Sequence, residues 1–200
     1  MPDIASRRLS RAVWRQTRPR NGLLDISDPA TYDARYNREG EPGAWYASLT
    51  ERGAWAELFR HWGLDEVSPF EIRRRVGRAR VVDLLVLDLT DPTVREALGI
   101  EEEELTGNDW SRCQEVAADA RAAGFDGLLA PSGALAGEIT LVVFAHALHK
   151  VNVEHSRVQH PPIRMLDVLT RIRLPDAAVE RVGQLYAALV ALGRRLQGRR

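Results

Sequence analysis

The sequence predicts a single α+β domain with one mixed sheet, followed by an amphipathic C-terminal helix. Three observations support this prediction: the length and composition, the alternation of apolar runs with helical patterns, and a change of periodicity after Pro175. The chain has 200 residues, 44% of them hydrophobic and 28% charged, which is enough to bury a core without disulfides or metal ions. We expect a domain over residues 1–174 and a helical extension over 175–200 that packs on the domain or on a partner.

The overall composition excludes several classes of protein. The 28 basic and 28 acidic side chains balance, so no net charge draws the chain to nucleic acid or to an anionic membrane. Cys113 is the single cysteine, which excludes an intramolecular disulfide and suits a reducing compartment. The N-terminus lacks an apolar signal segment, and the most apolar stretches, 127–137 and 139–149, are shorter than the roughly 18 residues of a membrane span. We therefore expect a cytoplasmic protein.

The N-terminal part is predicted to contain a long loop, a strand and a helix. Residues 16–43 are rich in Arg, Asp, Asn, Pro and Gly without a sustained period, which indicates a loop. Residues 44–49 (AWYASL) predict a short strand, and Thr50 is a suitable N-cap for the helix that follows. This helix carries one apolar stripe at i, i+3, i+4 and i+7 spacing, which predicts a core contact. The stripe consists of Trp55, Leu58, Phe59 and Trp62.

A basic run and an apolar run follow each other in the middle of the chain. Residues 81–89 (VVDLLVLDL) predict a mostly buried strand, followed by a short helix that ends at Leu98. The arginine-rich residues 72–80 predict a solvated edge strand that its charge protects from pairing with other chains. The same run leaves a nucleic-acid-binding module as an alternative, although no interleaved aromatic residues support it.

A helix between two strands is predicted in the second half of the domain. The acidic residues 101–104 are expected on the solvated surface. Asn108 or Asp109 can cap a helix that Gly124 ends. Residues 125–130 predict the strand that follows this helix.

The remaining residues predict one more strand and the terminal helix. Residues 139–145 (ITLVVFA) predict an apolar strand. Residues 151–172 mix β-branched residues with two adjacent prolines and fit no single element. From Asp176 onward, apolar residues recur at helical spacing, which predicts the amphipathic C-terminal helix.

Glu57 lies roughly opposite the apolar stripe of the first predicted helix, because each residue turns a helix by about 100°. Its neighbours Gly53 and Ala54 are small. A solvated surface glutamate is the ordinary interpretation of such a position. The alternative is a carboxylate over a cleft, where small neighbours let a ligand approach its oxygens.

Several short segments within residues 13–144 follow each other in the order of a known family. They are residues 13–15 (VWR), 35–37 (RYN) with Pro42 and Gly43, 45–48 (WYAS), 54–57 (AWAE), 87–91 (LDLTD), 123–127 (AGFDG), 131–132 (PS) and 139–144 (ITLVVF). Together they resemble the RES domain family, named for an Arg, a Glu and a Ser that its members share. Glu57 and Ser132 match the family's glutamate and serine. Ala34 stands where the family usually has Gly, and the residues after about 150 have no counterpart.

The resemblance implies both a fold and an activity. RES domain proteins resemble ADP-ribosyltransferases in fold and act as toxins of bacterial toxin–antitoxin pairs. They consume NAD by phosphorolysis or hydrolysis, or they ADP-ribosylate a protein. The resemblance therefore implies NAD as substrate without a prosthetic group, with inorganic phosphate, water or a protein side chain as acceptor. It also implies a cognate, Xre-like antitoxin as partner, through which nucleic acid is reached only indirectly.

The resemblance also assigns the main charged residues of the site. Cleavage of the nicotinamide–ribose bond leaves positive charge on the ribose, which a nearby negative charge stabilises. Glu57 is the predicted catalytic carboxylate. Arg15 and Arg35 are candidates for the diphosphate, because a planar guanidinium binds phosphate oxygens bidentately. Arg15 is also expected to contribute to catalysis.

Four further residues are predicted to complete the site. Ser132, in a Pro-Ser-Gly turn, is expected to bind the ligand or to orient Glu57, and not to act as a nucleophile, because no His-Asp partner pattern is visible. Tyr46 is expected to stack on the nicotinamide ring and to direct its hydroxyl at the ribose. Tyr36 and Asn37 are predicted as neighbouring ligand contacts.

Two alternatives and one open question remain at the level of sequence. The histidines at 146, 149, 155 and 160 fit no zinc spacing, so we expect no metal site. A protein without enzymatic activity, which docks a partner through its terminal helix, is the alternative to an enzyme. The apolar stripe of that helix can serve the core or a second chain, so the sequence leaves a homo-oligomer open.

Overall fold

The computed structural model describes residues 6–26, 32–62 and 72–173 of the chain. The helix predicted from Asp176 and the extension 175–200 lie outside the described residues, so this part of the domain division stays a prediction. The strands are β1 (Ser6–Thr17), β2 (Ala44–Ser48), β3 (Arg74–Asp88), β4 (Gly127–Pro131), β5 (Ile139–Phe144) and β6 (Val151–Gln159). The α-helices are α1 (Glu51–Trp62), α2 (Pro92–Leu98), α3 (Glu102–Thr106) and α4 (Ser111–Ala122), and two 3₁₀ helices span Ala145–Lys150 and Ile163–Thr170.

The six strands form one mixed sheet in the order β1-β2-β5-β4-β3-β6. An additional pairing between β1 and β3 closes five of these strands into a ring. The β3–β4 pair is parallel and the other pairs are antiparallel. The predicted mixed α+β fold is therefore confirmed. No described helix is long and apolar enough to cross a membrane.

β1 was not predicted by the sequence analysis, and its last residues fall within the predicted loop 16–43. It pairs with β3 along nearly its whole length, from Ser6 opposite Leu87 to Thr17 opposite Arg75. Polar residues dominate its sequence, and only Leu9, Val13 and Thr17 are fully buried. The strand depends on this partner more than on its own apolar pattern, which explains why periodicity did not reveal it.

The prediction that residues 72–80 form an edge strand is wrong. Residues 74–80 belong to β3, which continues without a break into the predicted apolar strand and lies between β1 and β6. The edge position belongs to β6, in the segment for which the sequence indicated no single element. Arg78 and Arg80 make ion pairs with Glu154 of β6, at 3.1 and 2.9 Å, so the neighbouring strand balances part of the basic run.

The predicted helices are largely confirmed. The hydroxyl of Thr50 accepts a hydrogen bond from the backbone N–H of Gly53 at 2.9 Å, which caps α1. The stripe residues Trp55, Leu58 and Phe59 are buried and pack with the second 3₁₀ helix and with Ala134. The side chain of Trp62 lies outside the described part.

The start of α4 differs from the prediction, because its N-cap is Trp110 and not Asn108 or Asp109. Asp109 nevertheless accepts a hydrogen bond from the backbone N–H of Ser111 at 2.9 Å. The helix ends before Gly124, whose φ of +82° is favourable for glycine. The acidic residues 101–104 are exposed as expected, but most of them form the short helix α3.

The buried side chains of the described residues form three clusters. The largest packs α2, α3 and α4 against the sheet through residues such as Leu87, Leu105, Val116 and Leu128. A second part fills the interior of the strand ring around Val13, Trp45, Leu84 and Leu141. The third lies beneath α1. Burial on both faces explains why the strands read as continuous apolar runs.

Asp126 is a buried carboxylate that connects β3, the start of β4 and the first 3₁₀ helix. One of its oxygens accepts hydrogen bonds from the backbone N–H of Leu85 at 2.7 Å and from the Nζ of Lys150 at 2.6 Å. His146 lies 3.8 Å from the other oxygen. Burial raises the pKa of Asp126, but Lys150 and the Leu85 N–H outweigh burial, so the pKa lies below its usual value.

We expect Asp126→Asn to lower the free energy of unfolding by roughly 1–3 kcal/mol at neutral pH, as measured by urea denaturation, because hydrogen bonds to a charged group are lost. A carboxyl with a lowered folded-state pKa stabilises the fold above its unfolded-state pKa of about 3.9. That contribution is lost as the pH falls through the lower folded-state pKa. The stability of the variant should therefore depend less on pH below about 4 than that of the wild type.

Asp83→Asn is the matched control, because Asp83 makes an exposed ion pair with Arg8 at 2.7 Å. Its φ of +53° is tolerated by asparagine. Exposed ion pairs contribute little, so we expect a change below about 1 kcal/mol. If both variants lost the same free energy of unfolding, the structural role of Asp126 would be contradicted.

Candidate active site

A large pocket lies between α1, the C-terminal end of β1, β2 and the turn after β4. Its volume is about 740 Å³, within the range of sites that bind small molecules and cofactors. Among the described residues, its lining holds six arginines and two carboxylates. The arginines are Arg15, Arg18, Arg20, Arg35, Arg60 and Arg74, and the carboxylates are Asp25 and Glu57. The pocket is therefore suited to an anionic ligand.

Glu57 faces this pocket from α1. Its Oε1 accepts hydrogen bonds from the hydroxyl of Ser132 at 2.8 Å and from the hydroxyl of Thr140 at 3.2 Å. Its Oε2 has no hydrogen-bond partner in the described part of the chain. One oxygen is thus held in place by the protein, and the other is available to a ligand. The structure supports the cleft interpretation of Glu57 over that of a solvated surface residue.

Ser132 is oriented by the turn in which it lies. Its hydroxyl oxygen accepts hydrogen bonds from the backbone N–H groups of Ala134 at 3.0 Å and Leu135 at 3.2 Å. A serine hydroxyl carries a single proton, and here that proton is donated to Glu57. Of the two roles expected for Ser132, the geometry favours the orientation of Glu57.

The small residues beside Glu57 allow α1 to lie close to β2. A Cβ at Gly53 would stand 2.9 Å from the Cβ of Ser48 and 3.1 Å from a carboxylate oxygen of Glu138. Ala54 lines the pocket next to Glu57. The helix therefore approaches the sheet closely at the point where Glu57 enters the pocket.

Arg35 lies at the end of the pocket formed by the turn after β4. One of its nitrogens donates a hydrogen bond to the carbonyl of Leu105 at 2.9 Å, and its guanidinium lies over the ring of Trp110, 5.8 Å from the ring centre. A Cβ at Gly133 would stand only 2.8 Å from the Nη2 of Arg35. The absence of a side chain at Gly133 thus makes room for this guanidinium.

Arg15 enters the same pocket from β1. Its Nη2 donates a hydrogen bond to the backbone carbonyl of Asp25 at 2.5 Å, and its guanidinium lies 5.2 Å from the ring centre of Trp45. Burial lowers the pKa of Arg15 to about 10, although the negative charge of Asp25 opposes this shift. Arg15 therefore stays charged at neutral pH. Its Nη1 is buried without a hydrogen-bond partner among the described residues.

Tyr46 lines the pocket with its ring, but its hydroxyl does not point into the pocket as predicted. The hydroxyl donates a hydrogen bond to the Oδ1 of Asn37 at 2.9 Å and accepts one from the backbone N–H of Tyr36 at 3.1 Å. Burial raises the pKa of Tyr46, so this hydroxyl keeps its proton. The expected contact of the hydroxyl with a ribose is therefore replaced by a contact that holds the loop around Arg35.

Tyr36 and Asn37 are both buried, at 1% and 2% exposure. The Tyr36 ring packs into the core beneath α4, and burial raises the pKa of its hydroxyl. The amide nitrogen of Asn37 donates to the carbonyl of Tyr32 at 3.1 Å. Their side-chain contacts shape the loop that carries Arg35, and Asn37 does not line the pocket.

The sequence analysis missed three residues that surround Glu57. Arg60 and His61 follow Glu57 at i+3 and i+4 on α1, and this helical spacing could have revealed them. The contact of Thr140 with Glu57 spans 83 positions and leaves no local signal. Partial desolvation lowers the pKa of His61, although the negative charge of Glu57 opposes this shift.

Arg60 connects three segments around the pocket. One of its terminal nitrogens donates to the carbonyl of Gly133 and, at 3.0 Å, to the carbonyl of Arg173. The other donates to the side-chain oxygen of Asn108 at 2.8 Å. Burial and the neighbouring charge of Arg35 lower the pKa of Arg60, whereas Glu57 raises it.

Within residues 6–26, 32–62 and 72–173, no three His, Cys, Asp or Glu side chains come together to hold a metal ion.

Comparison with known proteins identifies relatives along most of the chain. The probable NAD(+) phosphorylase Rv3189 of Mycobacterium tuberculosis is 48% identical over 187 residues, which cover 94% of this chain and 90% of that protein. The NAD(+) phosphorylase MbcT of Mycobacterium bovis is 43% identical over 76 residues, 38% of this chain and 39% of that protein.

A solved structure shares the fold. The crystal structure of the MbcT–MbcA toxin–antitoxin complex of M. tuberculosis contains a chain that matches with a TM-score of 0.70 and 26% identity. The match covers 82% of this chain and 92% of that chain. The RES domain family itself matches residues 6–166. Because this match covers most of the chain, and a relative is 48% identical over 94% of it, this chain belongs to the RES domain family.

Proposed function

We propose that this protein cleaves the nicotinamide–ribose bond of NAD and transfers the ADP-ribose to inorganic phosphate. The observation that carries the proposal is the carboxylate of Glu57, held at one oxygen by Ser132 and Thr140 inside an arginine-lined pocket. One relative is named a probable NAD(+) phosphorylase and another an NAD(+) phosphorylase, which supports phosphate over water or a protein as the acceptor.

The reaction needs little acid catalysis, because the positively charged nicotinamide ring of NAD becomes a neutral molecule when it leaves the ribose. The barrier comes from the positive charge that develops on the ribose as the bond breaks. A fixed carboxylate lowers this barrier more than a mobile one, because it does not have to reorganise during the reaction. Glu57 is fixed in this way, and its Oε2 is available to the ribose.

The arginines of the pocket supply the binding energy for NAD. Arg15 is the candidate for the diphosphate, because it is held between Asp25 and Trp45 with one nitrogen free of a partner among the described residues. The ring of Tyr46 offers an apolar surface for nicotinamide or ribose. Such contacts position the scissile bond at Glu57.

An enzyme that consumes NAD is toxic to the cell that makes it, so a regulator is required. We propose that the protein is the toxin of a toxin–antitoxin pair and acts on NAD in the cytoplasm. The MbcT–MbcA structure, which contains a chain of similar fold, is that of a toxin–antitoxin complex. This similarity supports a cognate antitoxin as partner.

The test of the proposed function is to incubate the purified protein with NAD and to measure free nicotinamide with and without inorganic phosphate. We expect phosphate to accelerate nicotinamide release and to appear in the product as a phosphorylated ADP-ribose. Release without phosphate dependence would indicate hydrolysis instead. No loss of NAD under either condition would exclude the enzymatic function.

We expect Glu57→Gln to lower kcat by about 100-fold or more, because it removes the charge that stabilises the ribose cation. The amide oxygen can still accept hydrogen bonds from Ser132 and Thr140, so the melting temperature should stay close to that of the wild type. Glu51→Gln is the matched control on the same helix, because Glu51 pairs with Arg164 at the surface. Near-wild-type turnover of Glu57→Gln would show that another carboxylate is catalytic.

We expect Thr140→Val and Ser132→Ala to lower kcat with little change in the KM for NAD, because both release Glu57 without touching the substrate. A hydrogen bond to a charged group contributes roughly 1.5–3 kcal/mol. We therefore expect Ser132→Ala, which removes the shorter contact, to lower kcat by about tenfold or more. The effect of Thr140→Val should be smaller. An increase in KM alone would assign these hydroxyls to ligand binding.

We expect Arg15→Ala to raise the KM for NAD by about tenfold or more and to change kcat less, because a group that binds the diphosphate acts equally before and during the reaction. Steady-state kinetics with varied NAD measures both values. A fall in kcat with an unchanged KM would argue against a diphosphate contact.

A further inference from the structure

We propose that Arg35 and Arg60 form a subsite for the inorganic phosphate that accepts the ADP-ribose, separate from the diphosphate contact of Arg15. The inference rests on the proposed function, which requires NAD and phosphate to be bound at the same time. Arg35 is thereby assigned to inorganic phosphate, whereas the sequence-based prediction gave both Arg15 and Arg35 as candidates for the diphosphate of NAD.

The two guanidinium groups meet at Gly133. Arg60 donates to the carbonyl of this residue, and Arg35 occupies the space where its Cβ would lie, with the Nη2, Cζ and Nε atoms all within 3.3 Å of that position. The residue before Gly133 is Ser132, which holds Glu57. Arg60 is therefore bonded to the turn that orients Glu57, and Arg35 lies against the same turn.

Within the described residues, the carboxylate whose charge acts on this pair is that of Glu57, which raises the pKa of Arg60 without forming an ion pair. Neither arginine makes an ion pair with a carboxylate of the described residues. The contacts of both are with neutral groups, namely backbone carbonyls, the side-chain oxygen of Asn108 and the ring of Trp110. Arg60 is only 5% exposed, and a buried cation beside a second cation is costly without a bound anion.

Arg15 belongs to a different part of the pocket. Its contacts are with Asp25 and Trp45, and it shares none of them with Arg35 or Arg60. Different segments therefore hold Arg15 and the pair of Arg35 and Arg60, and the charge of Glu57 acts on Arg60. The lining also includes Arg18, Arg20 and Arg74. A dinucleotide has one diphosphate, so the pocket holds more cations than that group needs, and the pair beside Glu57 can bind a second anion.

The chemistry requires that second anion to lie beside Glu57. An oxygen of hydrogen phosphate forms a bond to the ribose carbon while the bond from that carbon to the nicotinamide nitrogen breaks. The bonding electron pair leaves with neutral nicotinamide, and the phosphate keeps its proton in the phosphate ester. Ionised Glu57 would repel the incoming phosphate, and two guanidinium groups next to it offset this repulsion.

The experiment measures the KM for phosphate at saturating NAD and the KM for NAD at saturating phosphate. The main variant is Gly133→Ala, because the three atoms nearest to its Cβ would belong to the guanidinium of Arg35, which the Cβ would displace without removing any hydrogen-bond acceptor. Arg60→Lys is the second variant, because lysine keeps the charge but loses bidentate binding. Arg78→Lys is the matched control, since Arg78 pairs with Glu154 outside the pocket.

We expect Gly133→Ala and Arg60→Lys to raise the KM for phosphate by about tenfold or more and to leave the KM for NAD within about twofold. Arg15→Ala should show the opposite pattern. An unchanged KM for phosphate, or an equal rise of both KM values, would overturn the subsite.

Direct binding of inorganic phosphate, measured by isothermal titration calorimetry without NAD, separates this inference from the proposed function. Binding to the wild type that Gly133→Ala weakens supports the subsite, whatever the turnover. If the wild type binds phosphate but releases no nicotinamide, the proposed function fails and the subsite stands. If Gly133→Ala binds phosphate as tightly as the wild type, the subsite is excluded.

Discussion

The hydrogen bonds from Ser132 and Thr140 to Glu57 connect α1 to the hairpin of β4 and β5. They depend on the register of this hairpin, in which Pro131 pairs with Ile139 and Ala130 with Thr140. This register places one hydroxyl just after β4 and the other at the start of β5, on the same carboxylate oxygen. A slip of one residue would turn Thr140 to the opposite face of the sheet. The precision of the site is thus set by strand pairing.

Several motif positions serve the site indirectly. Tyr46 and Asn37 hold the loop that carries Arg35, and Gly133 provides the space that its guanidinium occupies. The hydroxyl of Tyr46 is committed to Asn37 and to the backbone of Tyr36. The residues proposed to contact the substrate are therefore supported by a second set whose contacts are internal.

The pocket concentrates positive charge that the described part of the protein does not neutralise. Burial lowers the pKa values of Arg15 and Arg60, which shows that their charges cost free energy in the fold. Such a cost is common at binding sites, where the ligand later supplies the missing counter-charge. The buried core around the sheet and α4 offsets it, so the domain can hold an electropositive cavity next to the carboxylate of Glu57.

The sequence by itself determined the elements that depend on nearby residues. Examples are the cap of α1 by Thr50, the end of α4 at Gly124 and the apolar runs of β4 and β5, and the motif order pointed to Glu57, Arg35 and Ser132. Tertiary structure decided the existence of β1, the central position of β3 and the contact of Thr140 with Glu57. The physical reason is that caps and periodicity act over a few residues. Strand pairing and the convergence of charges join segments far apart, such as Ser6 and Leu87.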